Sequence, residues 1–491
     1  MRIPVFQGLL IPFLLTTVVA GGTAGCAMNP VSGTPDVVFL SEASEINLGS
    51  TNDPKIRDRY GIYDNTELQA YVQRIGQSLA KHSHRPGLDY HFMVLDSPEV
   101  NAFALPGGYI YITRGILAYL NSEAELAAVL GHEIGHVTAR HAVRQYTAAT
   151  ATGFVGAFIG IATGIPATQD LFNTLGNAML SGYGRDHELE SDRLGAEYIA
   201  RAGYDPQAII RVIGVLKNQE EFEKKRAAAE NRPPRIYHGV FASHPSADKR
   251  LQEVVGQADK FKTLSEPKLA RGAYLAQLEK LSFGDSDKNG VRHGSHFYHR
   301  DANFALDFPE GWILENNASA VRAVSRDKQA IMQVDIEDLK KDINVAVYLN
   351  NRMQVSSLEQ SGPLSGMTWL SYTGVAPSSP YFGQRKTRAA AVDYNNNRLF
   401  FQGTTKESGS FDTTDPIFLA TIRSLHVLTD KEKRIARGQH VRVLQARSDM
   451  TFTSLAKTSP LSENGESVLR LINNMFPDGE PQAGEFIKII E

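Results

Sequence analysis

His132, Glu133 and His136 stand in the run His-Glu-Ile-Gly-His, an H-E-x-x-H spacing. On a helix, residues four apart share a face, so both imidazoles project to one side and can grip a single ion. Neutral imidazole nitrogen suits zinc, and Glu133, one residue on from His132, can reach a metal-bound water as general base. A catalytic zinc also needs a third protein ligand and an open position. Glu188 and Asp192 form a second pair at i and i+4, so their carboxylates share a face of another helix. One acid can bind metal while the other holds a ligand histidine through its free ring N–H. Spacing alone leaves that division open; Glu190 points elsewhere.

Two helices must carry these groups. From Asn121 to His141 apolar residues recur at helical spacing, and Ser122 with Glu125 forms an S-x-x-E capping pattern, which predicts one helix of about five turns. Arg185 to Arg201 predicts the second, with Leu189, Ala196 and Ile199 packed inward. The run Ala104 to Ile112 (ALPGGYIYI) reads as a turn entering a strand. Beside the site, such a strand at a sheet edge can hold an extended substrate by backbone hydrogen bonds; the plain alternative is an internal strand. Tyr146 to Gln169 has no charged residue and predicts a helical hairpin or loop over the cleft, against a buried helix pair or a membrane span. A single span would part the two metal helices.

Three motifs in order, Asn101 to Gly108 (NAFALPGG), the helix with His132 to His136, and Arg185, Glu188 and Asp192 in an R-x-x-E-x-x-x-D frame, resemble the HtpX/BepA/Oma and CAAX-prenyl-endopeptidase family of zinc metallopeptidases. The resemblance covers roughly residues 41–255, with Ser191 where the family has Ala. It implies a zinc endopeptidase with one zinc ion per chain, ligated by His132, His136 and Glu188. Glu133 is then the general base, and Asp192 the partner of a ligand histidine. Asn101, Ala102, Gly107, Gly108 and Arg250 are the implied substrate contacts. His244 lies in S-H-P-S, where similar periplasmic members carry a histidine that can close on the zinc as fourth ligand. Pro245 biases it toward extended backbone. A donor to the oxyanion and an ordinary surface histidine stay open beside that switch.

The N-terminus adds a location. Met1 and Arg2 precede an apolar, uncharged Ile3 to Ala20 and a small-residue stretch, the layout of a secretory signal. Thr23, Ala24, Gly25 and Cys26 resemble a bacterial lipobox, and Cys26 is the single cysteine of the chain. This predicts a signal over 1–25 and lipidation at Cys26. Ala27 after it favours, by resemblance to Gram-negative lipoproteins, the periplasmic face of the outer membrane. The implied partners are unfolded or misassembled envelope proteins as substrates, the membrane through the lipid, and outer-membrane assembly machinery or peptidoglycan. With 51 basic against 54 acidic residues, a net charge of −3, no cationic surplus points to nucleic acid.

The 491 residues exceed one core, so several domains are expected. The peptidase domain takes 26–283, mainly helical with a small edge sheet. Ser265 to Lys280 reads as helical, and Gly284 to Gly294 then breaks the pattern. Asp285, Asp287, Asn289 and Gly290 imitate the opening of a calcium loop, but the twelfth position is His296, so a turn or linker is the reading. Residues 295–430 alternate in short segments, a sheet-rich α+β domain whose Phe308-Pro-Glu-Gly-Trp312 resembles the opening of Mog/PsbP-like domains. Residues 435–491 resemble a small LysM-like module with Ser448, Asp449, Met450 and Thr451 in place of the usual Gly-Asp-Thr. The expected class is thus α+β throughout. The expected function is an envelope endopeptidase in quality control of outer-membrane proteins. The rivals are a chaperone or assembly scaffold with a latched zinc site, and an integral membrane protease.

Overall fold

The computed structural model describes residues 26–38, 40–148, 184–229, 266–339, 343–355, 358–361, 370–461 and 464–491. The expectations for the signal at 1–25, for most of 146–169, and for His244 and Arg250 lie outside the described residues. Among those described, no helix is long and apolar enough to cross a membrane.

The chain opens with a small antiparallel pair, β1 (Cys26–Met28) and β2 (Pro35–Val37). Helices α1 (Glu42–Tyr60) and α2 (Thr66–Ala80) follow. On α2 the apolar positions Leu68, Val72, Ile75 and Leu79 recur every three or four residues and are all buried, the stripe by which the helix joins the core. Strands β3 (His91–Leu95), β4 (Ala102–Leu105) and β5 (Tyr109–Thr113) form a sheet in the order β3-β5-β4. Here the sequence expectation is corrected. The Tyr-Ile-Tyr-Ile run is the central strand, parallel to β3 and antiparallel to β4, and the outer strand is Ala102–Leu105. Interior position suits that run, since Ile110, Tyr111 and Ile112 are wholly buried.

After α3 (Arg114–Tyr119) comes α4 (Glu123–Thr138), the central helix, with every residue buried. Ser122 caps it by accepting from the Glu125 amide at 3.2 Å, and Glu125 returns the favour to the Asn121 amide at 2.7 Å. Glu123, in the same turn, accepts from Tyr71 (2.6 Å), Tyr204 (2.7 Å) and Lys268. Burial alone raises the pKa of this carboxyl, but those three bonds outweigh it and leave it lowered. The expected single helix to His141 is broken. α4 ends at Thr138, Arg140 takes a left-handed φ of 54°, and a new helical stretch covers 141–148. Helices α5 (Arg185–Arg201) and α6 (Ala208–Ala229) pack against α4. The helix expected over Ser265 to Lys280 shrinks to α7 (Arg271–Gln277), because residues before it are drawn into a bridge, Lys268 N donating to Gly203 O at 2.9 Å. β6 (Ser282–Phe283) ends this part.

Residues 291–435 are built on two antiparallel sheets. β7 (Val291–His293), β8 (His296–His299) and β9 (Phe304–Asp307) belong to the smaller one. β10 (Ile313–Asn316), β11 (Ala320–Val324) and β12 (Ala330–Asp338) begin a seven-stranded sheet. After α8 (Val345–Met353) come β13 (Leu358–Ser361), β14 (Leu370–Ala376), β15 (Thr387–Tyr394) and β16 (Asn397–Thr405), in the order β10-β11-β12-β16-β15-β14-β13. α9 (Phe411–Arg423), β17 (His426–Val427), which pairs with β9, and α10 (Asp430–Ile435) complete it. β15 and β16 are covered on both faces. Ala390, Val392, Leu399 and Phe401 meet α9 and the smaller sheet, while Ala389, Ala391 and Phe400 meet α8.

The chain then returns. β18 (Gln439–Gln445) pairs with β6, and with β19 (Phe486–Ile490) across α11 (Phe452–Ala456) and α12 (Gly465–Ile472). Residues 435–491, expected as a third module in a row, close instead on the first. Val441, Phe452, Leu469, Ile472 and Ile487 share one apolar cluster with α2, α4 and α5. Lys488, fully buried, donates to Ala118 O (2.7 Å) and Leu120 O (2.6 Å) at the end of α3. Gln439 pairs with Phe283, so the sheet-rich domain leaves and re-enters at neighbouring points and is an insertion in the helical body. The turn between them is occupied by its own acids. Asp285 bonds Arg292, Asp287 accepts from the Gly438 amide, and Asn289 reaches Asp96 at 3.0 Å.

Candidate metal centre

Glycines let α4 and α5 approach closely enough for their polar faces to meet. A Cβ on Gly135 would sit 3.0 Å from Ser191 Cα, and one on Gly195 3.0 Å from the His132 amide nitrogen. At this crossing Glu188 faces both histidines. Its Oε2 lies 3.6 Å from His132 Nε2 and its Oε1 3.4 Å from His136 Nε2, while the two Nε2 atoms are 3.0 Å apart. Among the described residues these three form the one group of at least three His, Cys, Asp or Glu whose donor atoms converge, all within 4.8 Å. Asp192 Oδ1 sits 2.8 Å from His132 Nδ1, so a carboxylate that only accepts places the ring hydrogen on Nδ1 and turns the Nε2 lone pair toward Glu188. Two imidazole nitrogens and a fully buried carboxylate around one point are a donor set that fits zinc.

Behind His136 stands a residue that sequence reasoning missed. His141 Nδ1 is 2.9 Å from His136 Nδ1, its Nε2 is 3.0 Å from Glu190 Oε2, and its ring stacks on His187 with centroids 4.1 Å apart. Burial lowers the pKa of His141 and brings that of His187 down to about 4, so both rings are neutral near pH 7. The hydrogen bond with His141 holds the Glu190 carboxyl below its usual range. A third histidine five positions after the motif was the available signal, but a continuous helix would aim it about 140° away.

Beside His132 and Glu133 lies a small cleft lined by Asp192 and by Ala102, Ile116, Ala128, Val212, Ile213 and Leu216. Of the expected substrate contacts, Ala102 lines it. Asn101 is buried just before β4, its backbone amide donating to Thr113 Oγ1 at 3.1 Å. Gly107 and Gly108 lie elsewhere. With φ of 78° and 94° they turn the chain beneath α1, where a Cβ on Gly107 would come within 2.6 Å of Ile46 Cα. Their residue type answers to that packing rather than to the cleft. Cys26 opens β1.

Residues 66–258 match the sequence profile of Peptidase family M48. The chain is similar to the beta-barrel assembly-enhancing protease of Escherichia coli K12, with 28% identity over 270 residues, 53% of each chain. It is also similar to the mitochondrial metalloendopeptidase OMA1 of Arabidopsis thaliana, 33% identical over 147 residues, 30% of each. The chain spans about half the length of the first of these curated relatives. Among solved structures, cyanobacterial PsbP from Synechocystis aligns with 28% of this chain and 95% of its own at 16% identity, with a TM-score of 0.22, too slight a likeness to identify a fold. Residues 66–258 thus carry a Peptidase family M48 domain, with the H-E-x-x-H pair on α4.

Proposed function

We propose that the protein is a zinc-dependent endopeptidase that cuts misfolded or stalled outer-membrane proteins in the envelope, held by lipid on Cys26 at the periplasmic face of the outer membrane. The observation that carries the enzymatic part is the convergence of His132, His136 and Glu188 within 4.8 Å beside Glu133 and an open cleft. The names of the E. coli and plant relatives support the envelope and endopeptidase parts.

His132, His136 and Glu188 would hold the zinc, which would polarise the scissile carbonyl and acidify the attacking water. Glu133 Oε takes a proton from that water and delivers it to the leaving amine nitrogen. Asp192 keeps the hydrogen of His132 on Nδ1, so that Nε2 stays an electron-pair donor through the cycle. The substrate adds as an extended strand beside β4, the outer strand of its sheet, and sets an apolar side chain into the cleft between α4 and α6. His244 is the proposed switch, and the inserted domain and the 435–491 segment are the proposed docking parts for substrates, assembly machinery or glycan.

The test is metal content and casein hydrolysis measured side by side for wild type and Glu133→Gln. One zinc in both, with cleavage only in wild type, is the expected result. Zinc in both and cleavage in neither moves the chaperone or scaffold reading ahead.

A further inference from the structure

Residues 136 and 141 could not touch on an unbroken helix, yet their rings do. Arg140 makes the break, held by its Nε on Glu45 Oε2 at 3.0 Å and its Nη2 on Leu40 O at 2.9 Å. This turns His141 back until its Nδ1 lies 2.9 Å from His136 Nδ1. Two imidazole nitrogens at that distance share one hydrogen, and the far side of His141 decides whose it is. Glu190 Oε2, 3.0 Å from His141 Nε2, also takes Arg144 Nη1 at 3.2 Å and is therefore an ionised acceptor. His141 in its neutral form then carries its hydrogen on Nε2 and offers Nδ1 as a lone pair, to which Ser191 Oγ at 3.3 Å can also donate. The shared hydrogen belongs to His136 Nδ1, and its Nε2 is left as a lone pair 3.4 Å from Glu188 Oε1.

We propose that Glu190, acting through His141, sets the tautomer of His136 and so makes its Nε2 a metal donor. Both are positioning residues, and the proposal rests on the metal-site reading above. The two ligand histidines are thus supported unequally: Asp192 holds His132 directly, whereas His136 is held by a carboxylate through a second imidazole. Glu190→Leu removes the acceptor from His141 Nε2, so the hydrogen of His141 is no longer held there and that of His136 is no longer held on Nδ1 but spreads to Nε2, where metal must displace it. His141→Asn keeps a carbonyl that accepts from His136 Nδ1 without reference to residue 190.

The experiment uses the full-length chain, with zinc affinity from chelator competition, the visible spectrum of the cobalt-substituted protein, and long-range nitrogen–proton NMR of the metal-free histidines. Glu190→Leu is expected to weaken zinc by about 10- to 100-fold, alter the cobalt spectrum and move the His136 hydrogen from Nδ1 toward Nε2, at an unchanged melting temperature of the metal-free protein. In the His141→Asn background, Glu190→Leu should cost nothing further. Wild-type affinity in Glu190→Leu, losses that multiply in the double variant, or a fall in melting temperature that accounts for the loss each overturns the proposal. Failure of the metal-site reading looks different: zinc does not bind wild type, while the metal-free spectrum still reports the His136 tautomer.

Discussion

Between α4 and α5, His132, His136 and Glu188 bring three electron-pair donors to within 4.8 Å of one another, whereas on the inserted sheet each buried arginine meets its own aspartate. Arg388 Nε lies 2.7 Å from Asp415 Oδ1, and Arg398 Nε 2.6 Å from Asp393 Oδ1. Matched pairs neutralise each other and leave nothing for a ligand to supply; converging donors are costly to bury until a cation joins them. Both parts also bury histidine. In the helical body the rings face one another and carboxylates, while in the insertion His299 accepts locally from the Ala302 amide at 3.2 Å and serves its own turn. The proposed chemistry accordingly sits in the body, with the insertion as its proposed platform.

The sharpest break between the two is Glu133→Gln. It should lower casein hydrolysis by about 10²- to 10⁴-fold with zinc retained, while Arg388→Lys in the insertion leaves hydrolysis near wild type. Equal losses would erase the contrast. Next in size is a pH effect confined to the insertion. Burial pushes the pKa of His299 down to about 4, from 6.5. Between those values the unfolded chain binds the proton and the folded one does not, so stability rises with pH there. It is fully present above 6.5 and lost as pH falls toward 4, by about 3 kcal/mol for a shift of this size. Both tryptophans, Trp312 and Trp369, fall between residues 291 and 435 of the sequence, so denaturation followed by tryptophan fluorescence reads that stretch of chain. A His299→Asn variant should flatten the profile.

A matched pair of glycines comes third. A Cβ on Gly135 meets the Ser191 backbone at 3.0 Å, and one on Gly403 meets the Phe418 ring at 2.4 Å. Each alanine variant should cost about 1–3 kcal/mol, but in different places. Gly135→Ala should weaken zinc and leave tryptophan fluorescence unfolding unmoved; Gly403→Ala should do the reverse.

What the sequence disclosed follows from which interactions are local. The H-E-x-x-H pair, the Glu188/Asp192 pair and the Ser122 cap are fixed by helix periodicity, so spacing alone put them on their faces. Strand order is not local. Tyr109 to Ile112 had the composition of a strand, but only pairing with β3 and β4 made it central and left Ala102–Leu105 outside. His141 stayed hidden because its place depends on a left-handed Arg140 held by Glu45, a partner 95 residues away. The return of β18 to β6 escaped for the same reason, since a pairing across an inserted domain has no signature in either short strand.

The smallest expected effect tests whether the cleft reads substrate. Ala128 and Val212 wall it on opposite helices, beside His132 and Glu133 but behind no charge. Ala128→Val adds two methyl carbons to a space bounded by packed side chains, so it removes room for the larger substrate side chains only. Discrimination by fit alone is worth about 1 kcal/mol or a little more per methylene. Peptides that differ at one position flanking the cut should therefore separate by about tenfold in kcat/KM against large apolar residues, with the smallest residues cleaved as before. A uniform loss across the series would mean that Ala128 acts through the helix and not through the cleft. An unchanged series would place the substrate side chain elsewhere along β4, and the contrast with the insertion would then rest on the metal alone.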